Sequence, residues 1–326
     1  MNVKEYTSPP FFSVMAGPNQ PLSFKRVQPI IEDISEFFYW KGMKQFMKQP
    51  NLVVAFLSLL ITVVPVAAQS NSASRPNPQD DKGFTSYAEF GGSSDSDGRV
   101  FELDSSVGYN FTKHFGMDMG VPIYFVQASS STTGGSTSNN GLGNPHLDVR
   151  LKFNNPAFNF GSVLTGSAPT ADSKKGLSTG RATFDWTNRF ERSFSRFTPF
   201  AEMGIANTIA DSRLFKRPYT SLGFNTHFQA GGNVDLWKFF SAGASAYDIL
   251  PSGQQTIFSK VVKSQETTGS ADIARDNGYS AWLDANPTAC LDLELGYTHS
   301  AQYALNAVSF SVDVNLGHLV RKGSRQ

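Results

Sequence analysis

The sequence predicts an all-β protein, a single antiparallel up-and-down transmembrane β-barrel of about twelve strands. Three observations support this prediction. Apolar and polar residues alternate from Phe84 to Leu316, the connections between the alternating segments are short and long in turn, and a stretch typical of an export signal precedes them. A period of two gives each strand two different faces. A membrane barrel needs such faces, one towards lipid and one towards a wet lumen.

Composition narrows the class of protein before any motif is considered. The chain has 326 residues, of which 40% are hydrophobic, and this argues against disorder over most of its length. The net charge of +1 gives no overall field that would attract nucleic acid, so we expect no nucleic-acid partner. The single cysteine, Cys290, cannot form an intramolecular disulfide, and we interpret it as an inert apolar residue.

Residues 47–68 are typical of a cleaved secretory signal peptide. Lys48 supplies the positive start, an uncharged apolar run extends from Leu52 to Val64, and the small residues Ala67 and Ala68 precede the expected cut. The alternative is a membrane anchor, but the run is shorter than the roughly 20 residues that a spanning helix needs. We therefore expect export to the cell outer membrane through a cleaved signal peptide.

The segments around this signal complete the expected domain organisation. Residues 1–46 precede a signal that should begin near the initiator Met, so we interpret them as a misassigned N-terminal extension, with a true cytoplasmic extension as the alternative. Residues 69–83 are polar and contain proline, which suits a flexible periplasmic lead-in. The barrel is expected over 84–317, and residues 318–326 form a C-terminal tail.

The alternating region divides into twelve predicted strands. In the last of them Val308, Phe310 and Val312 share one face, and Ser309 and Ser311 occupy the other. The predicted strands are 84–92, 99–111, 115–127, 142–154, 158–168, 182–190, 197–209, 219–234, 239–249, 278–286, 290–298 and 306–317. A soluble sandwich also alternates, but its polar face is rarely so charged or its apolar face so continuous.

The connections between predicted strands differ in length at the two ends of the barrel. Even-to-odd connections such as Thr112–His114 and Pro287–Ala289 are short, whereas most odd-to-even connections, such as Ala128–Gly141 and Ala210–Pro218, are long and polar. Short periplasmic turns and long extracellular loops are typical of outer-membrane barrels. The longest loop, Leu250–Asn277, could fold inward or lie on the rim.

Aromatic residues cluster beside the short turns. They are Phe111, Phe115, Phe153, Phe158, Phe190, Phe197, Trp237, Phe239 and Phe240. This arrangement predicts an aromatic girdle at one membrane interface. The alternative is the general preference of Phe for strands.

The polar face of the predicted strands carries mostly charged residues, and acids outnumber bases. The lumen-facing candidates are Glu102, Asp104, Asp118, Asp148, Arg150, Lys152, Glu202, Asp292, Glu294 and Asp313, together with Glu89, Asp185 and Asp284. In one interpretation these charges pair across strands and hold a filled lumen together. In the other they line a pore with a mild preference for cations or neutral solutes.

No set of residues predicts catalysis or metal binding. His299 and Ser300 lie together at the extracellular end of a predicted strand, but sequence neighbours rarely form the activated pair that a serine enzyme needs. Asp95 and Asp97 could meet Ca²⁺ weakly, although a solvated turn is the simpler interpretation. We expect no enzyme activity, no cofactor and no metal.

Two stretches resemble a known family. GLGNPHLDVRLKF (Gly141–Phe153) and GSVLTGSAPTADSKKGLSTG (Gly161–Gly180) are similar to the outer-membrane barrels grouped as the "MetA-pathway of phenol degradation" or transporter-like family. Its members show a GLGD-type strand start and a strand ending in PTGD before a Gly-rich loop. Here Asn144 replaces the acid of the first motif and Ala171 the glycine of the second. The matching positions are Gly141, Gly143, Pro169, Thr170 and Asp172.

The resemblance implies an outer-membrane channel for passive uptake of small solutes, aromatic or apolar ones among them. It also implies that the motif residues shape a strand-to-loop turn rather than touch a solute. The expected partners are outer-membrane lipid and a small-molecule solute, and the oligomeric state is left open. Two alternatives remain, a closed structural or surface-binding barrel that works through its extracellular loops, and a lipid-active outer-membrane enzyme.

Overall fold

The computed structural model describes residues 82–129, 139–155, 157–262, 266–288 and 290–316. The predicted signal peptide and the residues before it lie outside these ranges. So do most of the lead-in, the centre of the Ser129–Gly141 loop and the C-terminal tail. No helix within the described ranges is long and apolar enough to cross a membrane.

Twelve antiparallel strands close into one barrel, which confirms the predicted fold class and strand number. The strands are β1 (Gly83–Ser94), β2 (Gly98–Asn110), β3 (Phe115–Ala128), β4 (His146–Asn154), β5 (Asn159–Ser167), β6 (Thr183–Glu191), β7 (Phe197–Ala206), β8 (Asn225–Trp237), β9 (Phe240–Pro251), β10 (Asp276–Thr288), β11 (Leu291–Ser300) and β12 (Leu305–Asn315). Each strand pairs with its neighbour in the chain, and β12 pairs with β1 to close the barrel.

The pleat of each strand separates an apolar outer face from a polar inner face. On β11, Leu293 and Leu295 are 38% and 49% exposed, whereas Asp292 and Glu294 are 8% and 6% exposed. The buried side of a closed barrel is its interior, so the acids point into the lumen and the leucines point out. This is the reverse of a soluble protein, and it suits a barrel whose outer surface meets lipid.

The two ends of the barrel differ as the sequence predicts. The end called here the short-turn end has the connections 111–114, 155–158, 192–196, 238–239 and 289–290. Aromatic rings meet one another near it. The ring centroids of Phe111 and Phe115 are 5.4 Å apart, and those of Phe160 and Phe190 are 5.1 Å apart. The rings lie where an interfacial girdle is expected.

The opposite end, called here the long-loop end, is uneven. Four of its connections are long, namely 129–145, 168–182, 207–224 and 252–275. The other two, 95–97 and 301–304, are tight turns, and the sequence predicted that most of these connections, not all, are long. The rim of the barrel is therefore low beside β11, β12, β1 and β2 and high elsewhere.

Two predicted strands are interrupted, each for a local reason. Predicted strand 219–234 is interrupted because Gly223 adopts a φ of 151°, which a side chain would strain, so β8 begins only at Asn225. Predicted strand 142–154 is interrupted by Pro145, which has no N–H to donate to a ladder. In both cases the detached residues lie at the long-loop end.

The residues detached from β8 join a small separate sheet. Tyr219–Leu222 pairs with Gln255–Ser259, which in turn pairs with Glu266–Gly269. We call this three-stranded unit the cap sheet. It uses Gln255–Ser259 and Glu266–Gly269 of the Leu250–Asn277 loop, and Gln255–Ser259 pairs with the neighbouring loop.

We expect the two faces of β8 to respond differently to the same charge. Ala230 lies on the exposed outer face, and its neighbour Gln229 lines the interior. Ala230→Arg should lower the free energy of unfolding in bilayers by about 2–4 kcal/mol, because arginine near the bilayer midplane is that costly on a lipid-facing position. Gln229→Arg is the matched control and should fold almost as well. Equal losses for both variants, measured by urea unfolding in lipid vesicles, would contradict the assignment of faces.

Candidate functional site: the lumen and its plug

The long connection between β7 and β8 runs back into the barrel. Residues 211–217, here called the plug, form a compact turn in which Ser212 and Phe215 exchange backbone hydrogen bonds of 3.1 and 3.3 Å. Phe215 is 2% exposed and packs with Leu305 and Ala307 of β12. The plug therefore occupies the part of the lumen beside β12 and its neighbours.

Arg213 of the plug faces three carboxylates at once. Its Nη2 atom lies 3.1 Å from Asp292 Oδ2 and 2.5 Å from Asp313 Oδ2, and its Nη1 atom lies 3.7 Å from Glu294 Oε2. The guanidinium also donates to the Ser311 hydroxyl. Burial lowers the pKa of Arg213, but the effect of these carboxylates is larger. The pKa is therefore raised above its ordinary value, and the side chain stays charged.

The two other plug cations bind different strands. Lys216 Nζ lies 3.2 Å from Glu89 Oε1 on β1 and 3.0 Å from Glu102 Oε2 on β2. Arg217 Nη2 lies 3.7 Å from Asp276 Oδ2 on β10. Burial lowers the pKa of Lys216, yet Glu102 and Glu89 outweigh burial and raise it above its ordinary value. The plug thus makes ionic contacts with five consecutive strands, β10 to β2.

The wall that receives the plug is unusually acidic. Asp292, Asp313, Glu89 and Asp104 are direct cross-strand neighbours on β11, β12, β1 and β2. With Glu102 and Glu294 on the same strands and Asp284 on β10, they form what we call the acidic belt, namely Glu89, Glu102, Asp104, Asp284, Asp292, Glu294 and Asp313. Like charges directly opposite each other destabilise a sheet. Arg213 and Lys216 enter between these carboxylates and offset their repulsion.

Glycines in the wall make room for the plug. A Cβ atom added to Gly296 would overlap the Leu214 side chain, and one added to Gly91 would lie 3.6 Å from Lys216 Cε. The Thr298 hydroxyl also donates to the Leu214 carbonyl at 3.2 Å. The plug and the wall are therefore fitted to each other in shape as well as in charge.

A buried lysine ties the plug to the loops above it. Lys260 is 2% exposed, and its ammonium lies 2.6 Å from Asp211 Oδ2 and 4.7 Å from the centroid of the Tyr124 ring. Its backbone N–H donates to Pro218, and its carbonyl accepts from Asn139. Burial raises the pKa of Asp211, but Lys260 and Lys216 outweigh this and hold it below its usual value.

The stretches that carry the family resemblance also meet at the long-loop end. Gly141–Leu142 pairs with β3, and the backbone N–H of Gly143 donates to Pro122 at 2.7 Å. The Asn144 side chain accepts from the Ala171 N–H at 3.1 Å.

The second stretch of the family resemblance, Gly161–Gly180, continues from β5 into the loops at the long-loop end. Thr170 donates its N–H to Ala168, the residue before Pro169. Asp172 accepts from Lys174 and starts a short 3₁₀ helix, Ser173–Lys175. Leu177 then packs against Val100, Val126 and Val261. These residues build turns and connect loops.

A cavity of about 810 Å³ remains beneath the plug. It extends from Lys113 and His114 at the short-turn end to Arg213 and Phe215 of the plug. Its wall is formed mainly by β2 to β8 and carries both charges together with aromatic rings. The cavity is large enough for a small organic molecule, since ligand pockets span roughly 300–1,000 Å³.

Charges around this cavity are paired across strands. Arg150 contacts Asp118, and Arg189 Nη1 lies 3.3 Å from Glu202 Oε2. A second set links histidines through Thr and Asp side chains. Thr165 donates to Asp148 at 2.5 Å, Thr187 donates to Asp185 at 2.6 Å, and Thr187 lies 2.9 Å from His227. Asp148, which accepts from Thr165, also lies 3.9 Å from His146 Nε2 through its Oδ2 atom.

The structure places the predicted lumen residues on the inner faces of their strands. Those in the acidic belt are Glu102, Asp104, Asp292, Glu294 and Asp313. Those around the cavity are Asp118, Asp148, Arg150, Lys152 and Glu202. The plug cations were not predicted. A sequence signal for them existed, because RLFKR (213–217) places three bases in five residues opposite an excess of acids.

The residues considered for catalysis and for metal binding do not form such sites in the fold. Ser300 points inward and donates to Asp276 at 2.6 Å, whereas His299 points outward and lies 2.9 Å from Asn306, so the two cannot act as a pair. Asp95 accepts from the N–H groups of Asp97 and Gly98, and burial raises its pKa to about 6. Within the described ranges, no three His, Cys, Asp or Glu side chains are placed to hold a metal ion.

Comparison with solved structures shows the fold of outer-membrane barrels. The COG4313 outer membrane channel from Pseudomonas putida F1 is 13% identical, covers 78% of this chain and 99% of that chain, and gives a TM-score of 0.51. The KdgM porin is 9% identical, with 70% and 98% covered and a TM-score of 0.42. The transport unit of the autotransporter AIDA-I from Escherichia coli is 11% identical, with 73% and 91% covered and a TM-score of 0.42.

No family model matches the sequence, and no curated protein matches it significantly. At these identities the likeness is one of fold. The narrower resemblance to the MetA-pathway family therefore stays a prediction from the two short stretches.

We expect the Asp211–Lys260 pair to hold the loops over the plug. Lys260→Met removes the nearest cation from the buried Asp211 carboxylate, and removing one partner of a buried pair costs about 3–5 kcal/mol. Hydrogen exchange of residues 207–224 should accelerate accordingly. The double variant Asp211→Asn/Lys260→Met should recover much of the protection, and no recovery would contradict a pairwise interaction.

The same pair predicts a direction of pH dependence. The folded-state pKa of Asp211 is depressed, so the stabilisation is present above its unfolded value of about 4 and is lost as pH falls through the folded value. Hydrogen-exchange protection of residues 207–224, compared across this pH range, should fall in the wild-type protein. It should stay constant in the double variant Asp211→Asn/Lys260→Met.

Proposed function

We propose that the protein is a channel of the outer membrane that passes small solutes passively, and that the plug controls how open it is. The observation that carries this proposal is the cavity of about 810 Å³ inside a closed barrel, lined by polar and charged side chains. A barrel that served only as a scaffold would gain stability by filling such a space. Two of the structures that share its fold are described as a channel and a porin.

The outer face supports the proposed location. Its apolar side chains form a surface suited to lipid, and aromatic rings lie near the short turns, as at a membrane interface. Together with the predicted export signal, this surface supports a location in the outer membrane. The short-turn end then faces the periplasm and the long-loop end faces the cell exterior.

The lining of the cavity favours small polar solutes, including those that carry an aromatic ring. Tyr124, Phe200 and Trp282 line it, and the Arg189 guanidinium lies 3.9 Å from the centroid of the Phe200 ring. Paired charges such as Arg189 and Glu202 offer donors and acceptors for hydroxyl, carboxyl or amino groups. A purely apolar solute would displace water from these charged groups without replacing the hydrogen bonds that the water makes.

A second candidate function is a closed barrel that binds partners through its loops. The observation in its favour is that the long loops interlock at the long-loop end. Thr220 donates to Gly176 at 2.8 Å, Lys175 donates to Asn140 at 3.1 Å, and the carbonyl of Lys260, in the fourth long loop, accepts from Asn139. A conductance measurement separates the two functions.

We expect a tethered plug to reduce conductance. Leu214 occupies the space next to Gly296, so Leu214→Cys/Gly296→Cys in a Cys290→Ser background should link the plug to β11 when oxidised. Oxidised protein in planar bilayers should show lower conductance than the same protein after reduction, while either single-Cys variant should not respond. Protein that is silent in both states, and silent with the plug residues 211–217 deleted, would contradict the channel and favour the closed barrel.

We expect Arg213 to set ion selectivity. Arg213→Gln removes the cation that faces three carboxylates of the acidic belt, so the preference for cations over anions should rise several-fold. The reversal potential in a KCl gradient measures this preference. Arg192→Gln, which changes an exposed arginine outside the lumen, is the control and should leave selectivity unchanged. An unchanged reversal potential for Arg213→Gln would show that ions do not pass the belt.

A further inference from the structure

Two neighbouring short turns carry a dense group of basic and aromatic side chains. The turns are 192–196, between β6 and β7, and 238–239, between β8 and β9. They are adjacent because β7 pairs with β8, and the N–H of Asp235 donates to the Arg196 carbonyl at 2.8 Å. We call the group the basic aromatic patch. Its members are Arg192, Phe194, Arg196, Phe197, Trp237, Lys238, Phe239 and Phe240.

The rings of this patch are unusually exposed. Trp237 is 80% exposed, and Phe240, Phe194 and Phe197 are 54%, 50% and 46% exposed. Rings so exposed are unfavourable in water but are favoured at the boundary between headgroups and acyl chains. The patch is also continuous with the lipid-facing surface, because Phe197 lies opposite the outward-facing Val234.

The cations of the patch are available for an external partner. Arg192, Arg196 and Lys238 are all exposed. The Arg192 guanidinium lies 4.8 Å from the Phe194 ring, and Lys238 Nζ lies 5.2 Å from the Phe239 ring. In the described part of the chain, the ion pairs near this end join Arg189 to Glu191 and Glu202 on the lumen side and involve none of the three patch cations.

The charge is also localised on one side of the barrel. The sequences of the three other short turns contain only Lys113 and His114 as basic residues. Basic residues spread evenly around the barrel would attract anionic lipid on every side. Three cations on two adjacent turns instead define a single site for an anionic lipid. Guanidinium groups bind phosphate oxygens through two parallel hydrogen bonds, which gives such a place chemical selectivity.

We propose that the basic aromatic patch binds the phosphate headgroup of an anionic glycerophospholipid in the periplasmic leaflet. The rings enter the glycerol and upper acyl region, and the three cations surround the phosphate from two sides. The inference rests on the proposed membrane location and orientation but is independent of channel activity. A lipid fits better than an acidic protein, because the exposed rings adjoin the lipid-facing surface rather than the aqueous centre of the barrel mouth.

The experiment measures lipid retention by the full chain. Protein refolded in micelles with equal amounts of phosphatidylglycerol and phosphatidylcholine is analysed by native mass spectrometry. The wild type should retain phosphatidylglycerol in several-fold preference. Arg192→Gln/Arg196→Gln/Lys238→Gln should lose that preference, and Trp237→Ala should reduce retention of both lipids.

A charge-matched control keeps the result specific. Lys174→Gln/Arg181→Gln/Arg275→Gln removes three cations at the long-loop end, outside the patch, and should retain phosphatidylglycerol as the wild type does. Equal retention by the patch variant and this control, or no lipid preference in the wild type, would overturn the proposal and leave an acidic protein as the partner to test. Bilayer conductance of the patch variant should match the wild type, so failure of the channel proposal would be seen separately.

Discussion

The interaction on which the rest of the interior depends is the neutralisation of the acidic belt by the plug. Direct cross-strand pairing brings Asp292, Asp313, Glu89 and Asp104 side by side within a confined space. Carboxylates so placed repel one another strongly unless cations lie between them. The plug supplies those cations, and the loops above hold the plug in position. Lumen shape, loop packing and the remaining cavity therefore all follow from one requirement of charge balance.

This requirement also explains why the two halves of the lumen differ. Around the cavity, Arg150 and Arg189 find their carboxylates on neighbouring strands, so that wall needs no outside cation and leaves space in front of it. On the belt side the counter charge comes from a loop, and the space is occupied. One wall of the lumen therefore pairs its own charges and faces the cavity. The other wall carries an excess of acids and faces the plug. A change that moved the plug would alter both the width and the charge of the lumen.

Much of the barrel could be predicted from the sequence, because strand pairing in a closed sheet leaves a local signature. The alternation around Val308–Leu316 gave a strand within two residues of β12 at each end. The prediction was less accurate where geometry depends on distant residues. Gly223 turns the chain out of the wall, and Gln255 donates to the Phe224 carbonyl just after that turn. RLFKR (213–217) has no period, so its inward path depends on acids that are 59 or more positions away in the chain and could be suspected only from the charge imbalance.

The low rim of the barrel lies beside the seam at which β12 pairs with β1. Pairing of the first and last strands sets Glu89 directly against Asp313. The plug spans this seam, with Arg213 on the side of β11 and β12 and Lys216 on the side of β1 and β2. The closed seam and the docked plug therefore stabilise each other, so the junction of the barrel is held from its inner side by a loop that belongs to neither of its strands.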